Sequence, residues 1–272
     1  MIIPMTARNC TILIPTWNRG DYLVRAVQSA IEQGNQVDEI LIIDNCSESE
    51  FTSFLNYVKA LDSRIQVFNQ NVNIGAVGNW LSGLRRVRTE WVKILFSDDI
   101  LEPDCLEELM NFQKIHDLDV VACSAYGIIN NITYNFYLNE RVITSNFDRI
   151  AQKIANREFP ISPTAALVRT ADAIRMLEKF TNSQKLINSA IGPDLFLMYG
   201  VVCEGGRFGF LDKQLVTMFG DGANISSQQE HLLSGYYAEA FLRMLKYNHK
   251  SIPLTLRFKL WFRILRSAVS TW

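Results

Sequence analysis

The stretch Trp91–Asp99, WVKILFSDD, decides the fold. A short apolar run stops at two adjacent carboxylates, Asp98 and Asp99. Such a run suits a strand buried on both faces, as in the interior of a parallel sheet. Three runs of the same character precede it: Thr11–Pro15 (TILIP), Glu39–Asp44 (EILIID) and Ile65–Asn69 (IQVFN), with the four starts 28, 26 and 26 residues apart. Between them the pattern predicts helices over about Asp21–Gln33, Phe51–Ala60 and Val77–Val87, the first with Leu23, Val27, Ala30 and Ile31 on one face. Strand, helix and strand at this interval make βαβ units with right-handed crossovers, so the class is α/β with a mostly parallel sheet flanked by helices.

In such a sheet ligands bind beyond the carboxyl ends of the strands. The residues there are Thr16, Trp17, Asn18 and Arg19; Asp44, Asn45 and Ser47; Asn71, Asn73 and Gly75; and Asp98 with Asp99. Any one of them is explained by turn chemistry alone. Four polar ends on one rim point to a site.

Composition narrows what that site serves. The chain has 272 residues, enough for one large domain or one domain with a small appendage, with 48% apolar and 20% charged residues. A formal charge of −1 argues against a nucleic-acid surface. The balance is uneven, because seven cations and no acid follow Glu239, leaving residues 1–239 at a net −8. The five cysteines are scattered without a CxxC pair, which fits reduced, mostly buried thiols and a cytoplasmic protein. With three histidines, any metal is expected to be held by oxygen, hence Mg²⁺ or Mn²⁺. No window is apolar enough to predict a membrane span.

Beyond about Pro103 a helix is expected, with Leu106, Leu109, Met110, Phe112 and Ile115 as its apolar positions, then a strand near Val120–Ala125. Residues 126–165 are less periodic and read as a lid or acceptor-facing region dominated by loop. The tail reads as two helices, about Gln228–Tyr247 and Leu254–Thr271. The second carries Lys259, Arg263, Arg266 and Ser270 on one stripe, roughly opposite Leu254, Phe258, Trp261, Leu265 and Trp272. A basic amphipathic helix of this kind rests on an anionic membrane at the cytoplasmic face, or packs on its own domain or on a second copy in a homodimer.

Adjacent carboxylates at a sheet edge repel unless a cation or hydrogen-bond donors offset them. A hard divalent ion bridging carboxylate and phosphate oxygens does so, and as a Lewis acid it stabilises charge on a departing diphosphate. The structural alternative is a solvated turn before a helix, which explains Glu102 and Asp104 well. Asp99 is expected on a loop outside the core, so that its removal spares the fold.

The segments ILIPTWNRGDYLVRAVQSAI, EILIIDNCS, NVNIGAVGNWLSGL and WVKILFSDDILEPDCLEEL resemble, in order and spacing, the signature blocks of family 2 glycosyltransferases across residues 9–110. The resemblance implies an inverting enzyme of the GT-A nucleotide-sugar fold, of the bacterial surface-polysaccharide type. Its catalytic domain would span residues 1–225, with a nucleotide half to about 110 and an acceptor half from 111, followed by a helical extension over 226–272. Pro15, Thr16, Asn18, Arg19 and Asp44 would surround base and ribose. Asn73, Gly75 and Asn79 would lie beside the nucleotide, the alternative being a left-handed turn at Gly75 with Asn79 simply on a helix. Asp98 and Asp99 would be the DXD-type motif, Asp99 on the metal and Asp98 on the ribose or a metal-bound water. The donor would be a nucleotide sugar, UDP-linked by family frequency, and the acceptor a glycan or lipid-linked saccharide.

In the second half ISPTAALVR (161–169) resembles the family's acceptor-side strand, and Asp194 its catalytic base. There are departures. Phe96 stands where many members carry an earlier acid, and Pro193-Asp194 replaces Glu-Asp. The run Phe219-Gly220-Asp221-Gly222-Ala223-Asn224 lacks the late histidine and is expected to be a loop closing on the donor. A nucleotidyltransferase would need a Gly-rich, Arg-bearing first loop, and a dinucleotide oxidoreductase a GxGxxG after the first strand; neither is present. The contrasting class is a non-catalytic sugar-nucleotide-binding protein, which the retention of Asp44, Asp98, Asp99 and Asp194 disfavours.

Overall fold

The structure, a computed structural model, describes residues 10–129, 132–136, 141–156, 162–182, 187–188, 190–220, 230–247 and 251–269. Strands β1 (Cys10–Thr16), β2 (Glu39–Asp44), β3 (Ile65–Asn69) and β4 (Trp91–Ile94) lie in the order β3-β2-β1-β4, all parallel. Crossover helices α1 (Asp21–Ile31), α2 (Thr52–Lys59) and α3 (Gly75–Leu84) connect them. The sheet then turns mixed: β9 (Ala166–Arg169) runs antiparallel to β4 and to β6 (Val120–Ile129), and β10 (Phe208–Gly220) runs parallel to β6. The two-residue β5 (Ile100–Leu101) pairs with β10 immediately after Asp99.

Alternate residues of β1 and β2 face opposite cores, as strands covered on both sides must. Ile12, Ile14, Ile40 and Ile42 pack with α1, α2 and α4 (Cys105–His116); Leu13, Leu41 and Ile43 pack with α3 and the later helices. α3 approaches closely because Gly83 has no side chain: a Cβ there would lie 2.7 Å from Leu13 and 2.8 Å from Ile43.

The four expected strands are present. β4 closes at Ile94, short of the expected Ser97, because the next strand partner is replaced by a side chain: Phe96 N–H donates to Thr164 Oγ1 at 3.2 Å. α3 opens two residues early, at Gly75, on a turn held by asparagine side chains. Residues 126–165 hold more scaffold than expected. β6 continues to Ile129 and pairs with β7 (Ile132–Phe136), β8 (Val142–Thr144) adds to β10, and α5 (Phe147–Asn156) follows. The helical period of Phe147, Ile150, Ala151 and Ile154, all buried, is clear once that window is read alone.

After α6 (Thr170–Phe180) come α7 (Pro193–Cys203), α8 (Glu230–Tyr247) and α9 (Leu254–Val269). α8 packs on α6, α7 and α9, and Phe241, Met244, Leu245 and Leu260 belong to the same core cluster as Leu13 and Ile43. All five cysteines are free, Cys46 alone exposed. No helix among the described residues is long and apolar enough to cross a membrane.

Candidate active site

Strand register assembles the rim. Thr16, Asp44 and Asn69 lie abreast on three neighbouring parallel strands, so the three loops that follow leave the sheet at one level. The first two loops are laced together. Asn18 N–H donates to Ser47 Oγ at 2.7 Å, Asn18 Oδ1 accepts from Glu48 N–H at 2.9 Å, and Asn18 Nδ2 reaches Glu48 at 3.2 Å. Asn18 and Cys46 adopt left-handed backbone, φ 50° and 63°, which turns each loop back toward the other. Asp44 is buried, and its carboxylate accepts from Ser47 N–H at 2.9 Å and from Ser47 Oγ. This is an Asx turn, and it fixes the Asp44 carboxylate at the strand end. Pro15 lies within β1, beside Ile43 of β2.

Asparagines fasten the third loop. Asn45 Nδ2 donates to Asn73 Oδ1, Asn45 Oδ1 accepts from Ile74 N–H, and Asn73 Oδ1 also accepts from Gly75 N–H, each at 2.9 Å. Gly75, at φ 75°, starts α3 from the left-handed turn anticipated as the alternative. Asn79 is buried, and its Nδ2 donates to the Ile43 carbonyl at 2.9 Å. Its side chain therefore ties α3 to the end of β2.

Asp98 and Asp99 are adjacent in sequence and unlike in surroundings. Asp98 pairs with Arg19 at 3.4 Å, which joins the first loop to the fourth strand end. Asp99 is 4% exposed. Its Oδ2 accepts from Thr164 Oγ1 at 2.6 Å and its Oδ1 from Phe219 N–H at 3.1 Å. Burial, and next the Asp98 charge, push its carboxyl well above the usual carboxylate range; the two hydrogen bonds pull the other way. The expectation that Asp99 lies outside the core is thus corrected: it clamps the Pro163–Ala165 turn and the end of β10 to the β4–β5 corner. Thr164 was missed, although it lies in the ISPTAALVR segment; its signal was a Ser162-x-Thr164 pair flanking Pro163. The expected closing loop, Asp221 to Asn224, lies outside the described residues.

Asp194 is held by other elements. It occupies the first turn of α7, after Gly192 at φ 101° and Pro193. Its Oδ1 accepts from Leu195 N–H at 3.0 Å, and its Oδ2 from the Tyr237 hydroxyl on α8 at 2.5 Å. Burial raises its pKa to about 7, with the Tyr237 and backbone hydrogen bonds opposing. Sequence reading missed Tyr237, since it lies 43 residues downstream in a helix with no motif.

The donor set bears on a metal. Among the described residues no group of three or more His, Cys, Asp or Glu side chains converges. The Asp98–Asp99 pair is the carboxylate set at the rim, and a hard ion held by one or two carboxylates takes the rest of its shell from substrate phosphates. At the end of β1 the buried Thr16 hydroxyl has no hydrogen-bond partner among the described residues, as is true of the Thr170 hydroxyl.

The mixed α/β sheet flanked by helices is that of a GT-A fold. The solved structures agree. The protein resembles S. aureus TarS 1–349 in complex with UDP-GlcNAc, with TM-score 0.65 at 18% identity over 96% of this chain and 73% of that one. It also resembles the mannosyltransferase PcManGT from Pyrobaculum calidifontis in complex with GDP-Man and Mn²⁺, with TM-score 0.60 at 12% identity, covering 96% and 73%. Residues 11–176 match glycosyl transferase family 2, and the chain belongs to that family. It is 28% identical to the glycosyltransferase GlyG of Streptococcus pneumoniae over 47% of this chain and 42% of that protein. It is 30% identical to the putative teichuronic acid biosynthesis glycosyltransferase TuaG of Bacillus subtilis over 38% and 40%, and 30% identical to the chondroitin synthase of Escherichia coli over 79% and 29%. The chain thus spans less than half the length of these curated relatives.

Proposed function

We propose that the protein transfers a sugar from a nucleoside-diphosphate sugar to an acceptor hydroxyl with inversion, in the synthesis of a polysaccharide or lipid-linked glycan. The observation that carries the reading is the laced rim: three strand ends abreast, their loops hydrogen-bonded to one another, and the Asp98 end joined to the first loop through Arg19. Pro15, Thr16, Asn18, Arg19 and Asp44 border the nucleoside; Asn73, Gly75 and Asn79 shape its far wall. Asp98 would face the ribose or a water on the ion, and Asp99 with Asp98 would hold Mg²⁺ or Mn²⁺. When bound, that ion offsets charge on the leaving diphosphate. Asp194 takes the proton of the attacking hydroxyl, a task its raised pKa suits at neutral pH. We take residues 1–225 as the catalytic unit and 226–272 as its helical extension. UDP is the nucleotide favoured by family frequency, and fold neighbours are solved with UDP-GlcNAc and with GDP-Man.

Thermal unfolding with UDP, dTDP, GDP and CDP sugars, with and without Mn²⁺, tests this. A ligand at 100 times its Kd stabilises by about 2.7 kcal/mol, roughly 5–10 °C in a domain of this size. Metal-dependent stabilisation by one donor class, with release of nucleoside diphosphate, is expected. Diphosphate released from a triphosphate and a sugar 1-phosphate would instead mark a nucleotidyltransferase, and binding without turnover a sensor.

A further inference from the structure

Helix α9 is apolar on two faces, one packed inward and one exposed. Leu256 and Leu260 turn inward against α8, with Ile252 buried just before them. Leu254, Phe258, Trp261 and Phe262 are 69%, 66%, 56% and 59% exposed. Their spacing is i, i+4, i+7 and i+8, the pattern of one continuous helical stripe. Four large apolar side chains on one helix face are not the scattered single exposures that any surface carries. Arg257 and Lys259 are exposed on either side of Phe258 in sequence, and at about 100° per residue they border the stripe on opposite flanks.

We propose that this stripe docks on the surface of an anionic lipid bilayer. An apolar ridge with aromatic rings, bordered by cations long enough to reach headgroup phosphates, is the arrangement an interfacial helix requires. Charge supports the same occupant. No acid follows Glu239, whereas residues 1–239 carry a net −8, so the attraction to anionic lipid resides in the last two helices. A symmetric contact between two copies through this stripe would set Arg257 and Lys259 against their own counterparts, an arrangement like charges disfavour. Leu256 and Leu260 keep α9 seated on the body, so the helix lies flat on the bilayer while its inner face stays packed. The inference is independent of the donor reading.

Co-sedimentation of the full chain with phosphatidylcholine vesicles and with phosphatidylglycerol-rich vesicles tests the assignment, alongside Phe258→Ser/Trp261→Ser and Arg257→Gln/Lys259→Gln double variants. All four side chains are exposed, so the variants keep the core. The full chain should bind the anionic vesicles at least tenfold better than the neutral ones, and less well as salt rises. The aromatic variant should lose at least tenfold. The cation variant should lose roughly tenfold or more on anionic vesicles alone, since each cation near the surface is worth about a fivefold gain. Absence of vesicle binding at low salt, or equal binding by the aromatic variant, overturns the proposal. So does a wild-type dimer that the aromatic variant dissolves, which would assign the stripe to a second copy. Donor-induced thermal stabilisation, read on the same samples, should be equal in all three proteins; its absence from all three would count against the donor site and leave the vesicle result intact.

Discussion

The rim formed by β1 to β4 and the pocket around Asp194 each center on carboxylates, and they hold them in opposite ways. At the rim, Asp44 is met by Ser47 of its own loop, and Asp98 by Arg19 of the first loop. Loop binds loop, through Asn18, Asn45 and Asn73, and register alone brings the pieces together. Asp194 instead sits at a helix start with a tyrosine from a distant helix as its side-chain partner. Burial raises the affinity of the Asp194 carboxyl for a proton. The same residue type is thereby prepared for different work. Asp99 stands between the two cases, at the rim in sequence yet with its carboxyl pushed up by burial as at Asp194.

The sharpest way to break the comparison is Asp194→Asn. It keeps shape and the hydrogen bond from Leu195 while removing the base. Transfer, measured as nucleoside diphosphate release with acceptor present, should fall by about 10²–10⁴, with donor affinity little changed. The pH dependence carries the sign. The folded pKa, about 7, lies above the unfolded value of 3.8, so the folded state binds the extra proton between them. Stability is therefore full below about pH 4 and lost as pH rises toward 7, by an order of a few kcal/mol, and Asp194→Asn should flatten that fall in urea titrations. The transfer rate should rise with pH through the same region, because the base must be ionised. Tyr237→Phe removes a bond that lowers the Asp194 pKa, so the rising limb should move to higher pH. A limb that stays in place in Tyr237→Phe would show that Asp194 does not govern it.

Asp99 gives the next largest effect and sharpens the middle case. Asp99→Ala leaves the Thr164 hydroxyl and the Phe219 N–H without their acceptor, at about 1–3 kcal/mol for each buried group left unpaired. The variant should unfold at lower urea than wild type and lose metal-dependent donor stabilisation. Thr164→Val should lower stability by about 1–2 kcal/mol while metal dependence persists. If Asp99→Ala binds a donor in Mn²⁺ as wild type does, the carboxylate is a clamp and no ligand for the ion.

How much of this was legible in sequence divides along the same line. The rim was readable because it is local: each strand is a short apolar run, each loop follows at once, and parallel order places the ends together. The surroundings of Asp99 and Asp194 depend on partners 65, 120 and 43 residues away, through Thr164, Phe219 and Tyr237. Position Asp194 came from a family resemblance, but its tyrosine has no pattern to betray it. The 126–165 region was underread for another reason. Its polar β7 strand and the short period of α5 are blurred when Asn, Tyr and Phe are averaged over forty residues.

The smallest effect falls on the rim and tests whether its geometry is set by backbone or by packing. Gly75 adopts φ 75°, and a Cβ built there would meet no atom within 4 Å. Space is therefore not the constraint, and any cost of Gly75→Ala comes from the left-handed backbone, about 1–2 kcal/mol. Gly75→Asn should cost less, since asparagine tolerates that conformation. The consequence for function follows from the hydrogen bonds. Gly75 N–H and Asn45 Nδ2 both donate to Asn73 Oδ1, so a shifted turn at 75 pulls on Asn73 and through it on the loop after Asp44. Donor affinity should fall in Gly75→Ala and recover most of the way in Gly75→Asn, read by the same thermal shift used for wild type. Equal affinity in all three, with stability lowered only in the alanine variant, would confine the turn to starting α3 and remove Gly75 from the nucleotide wall.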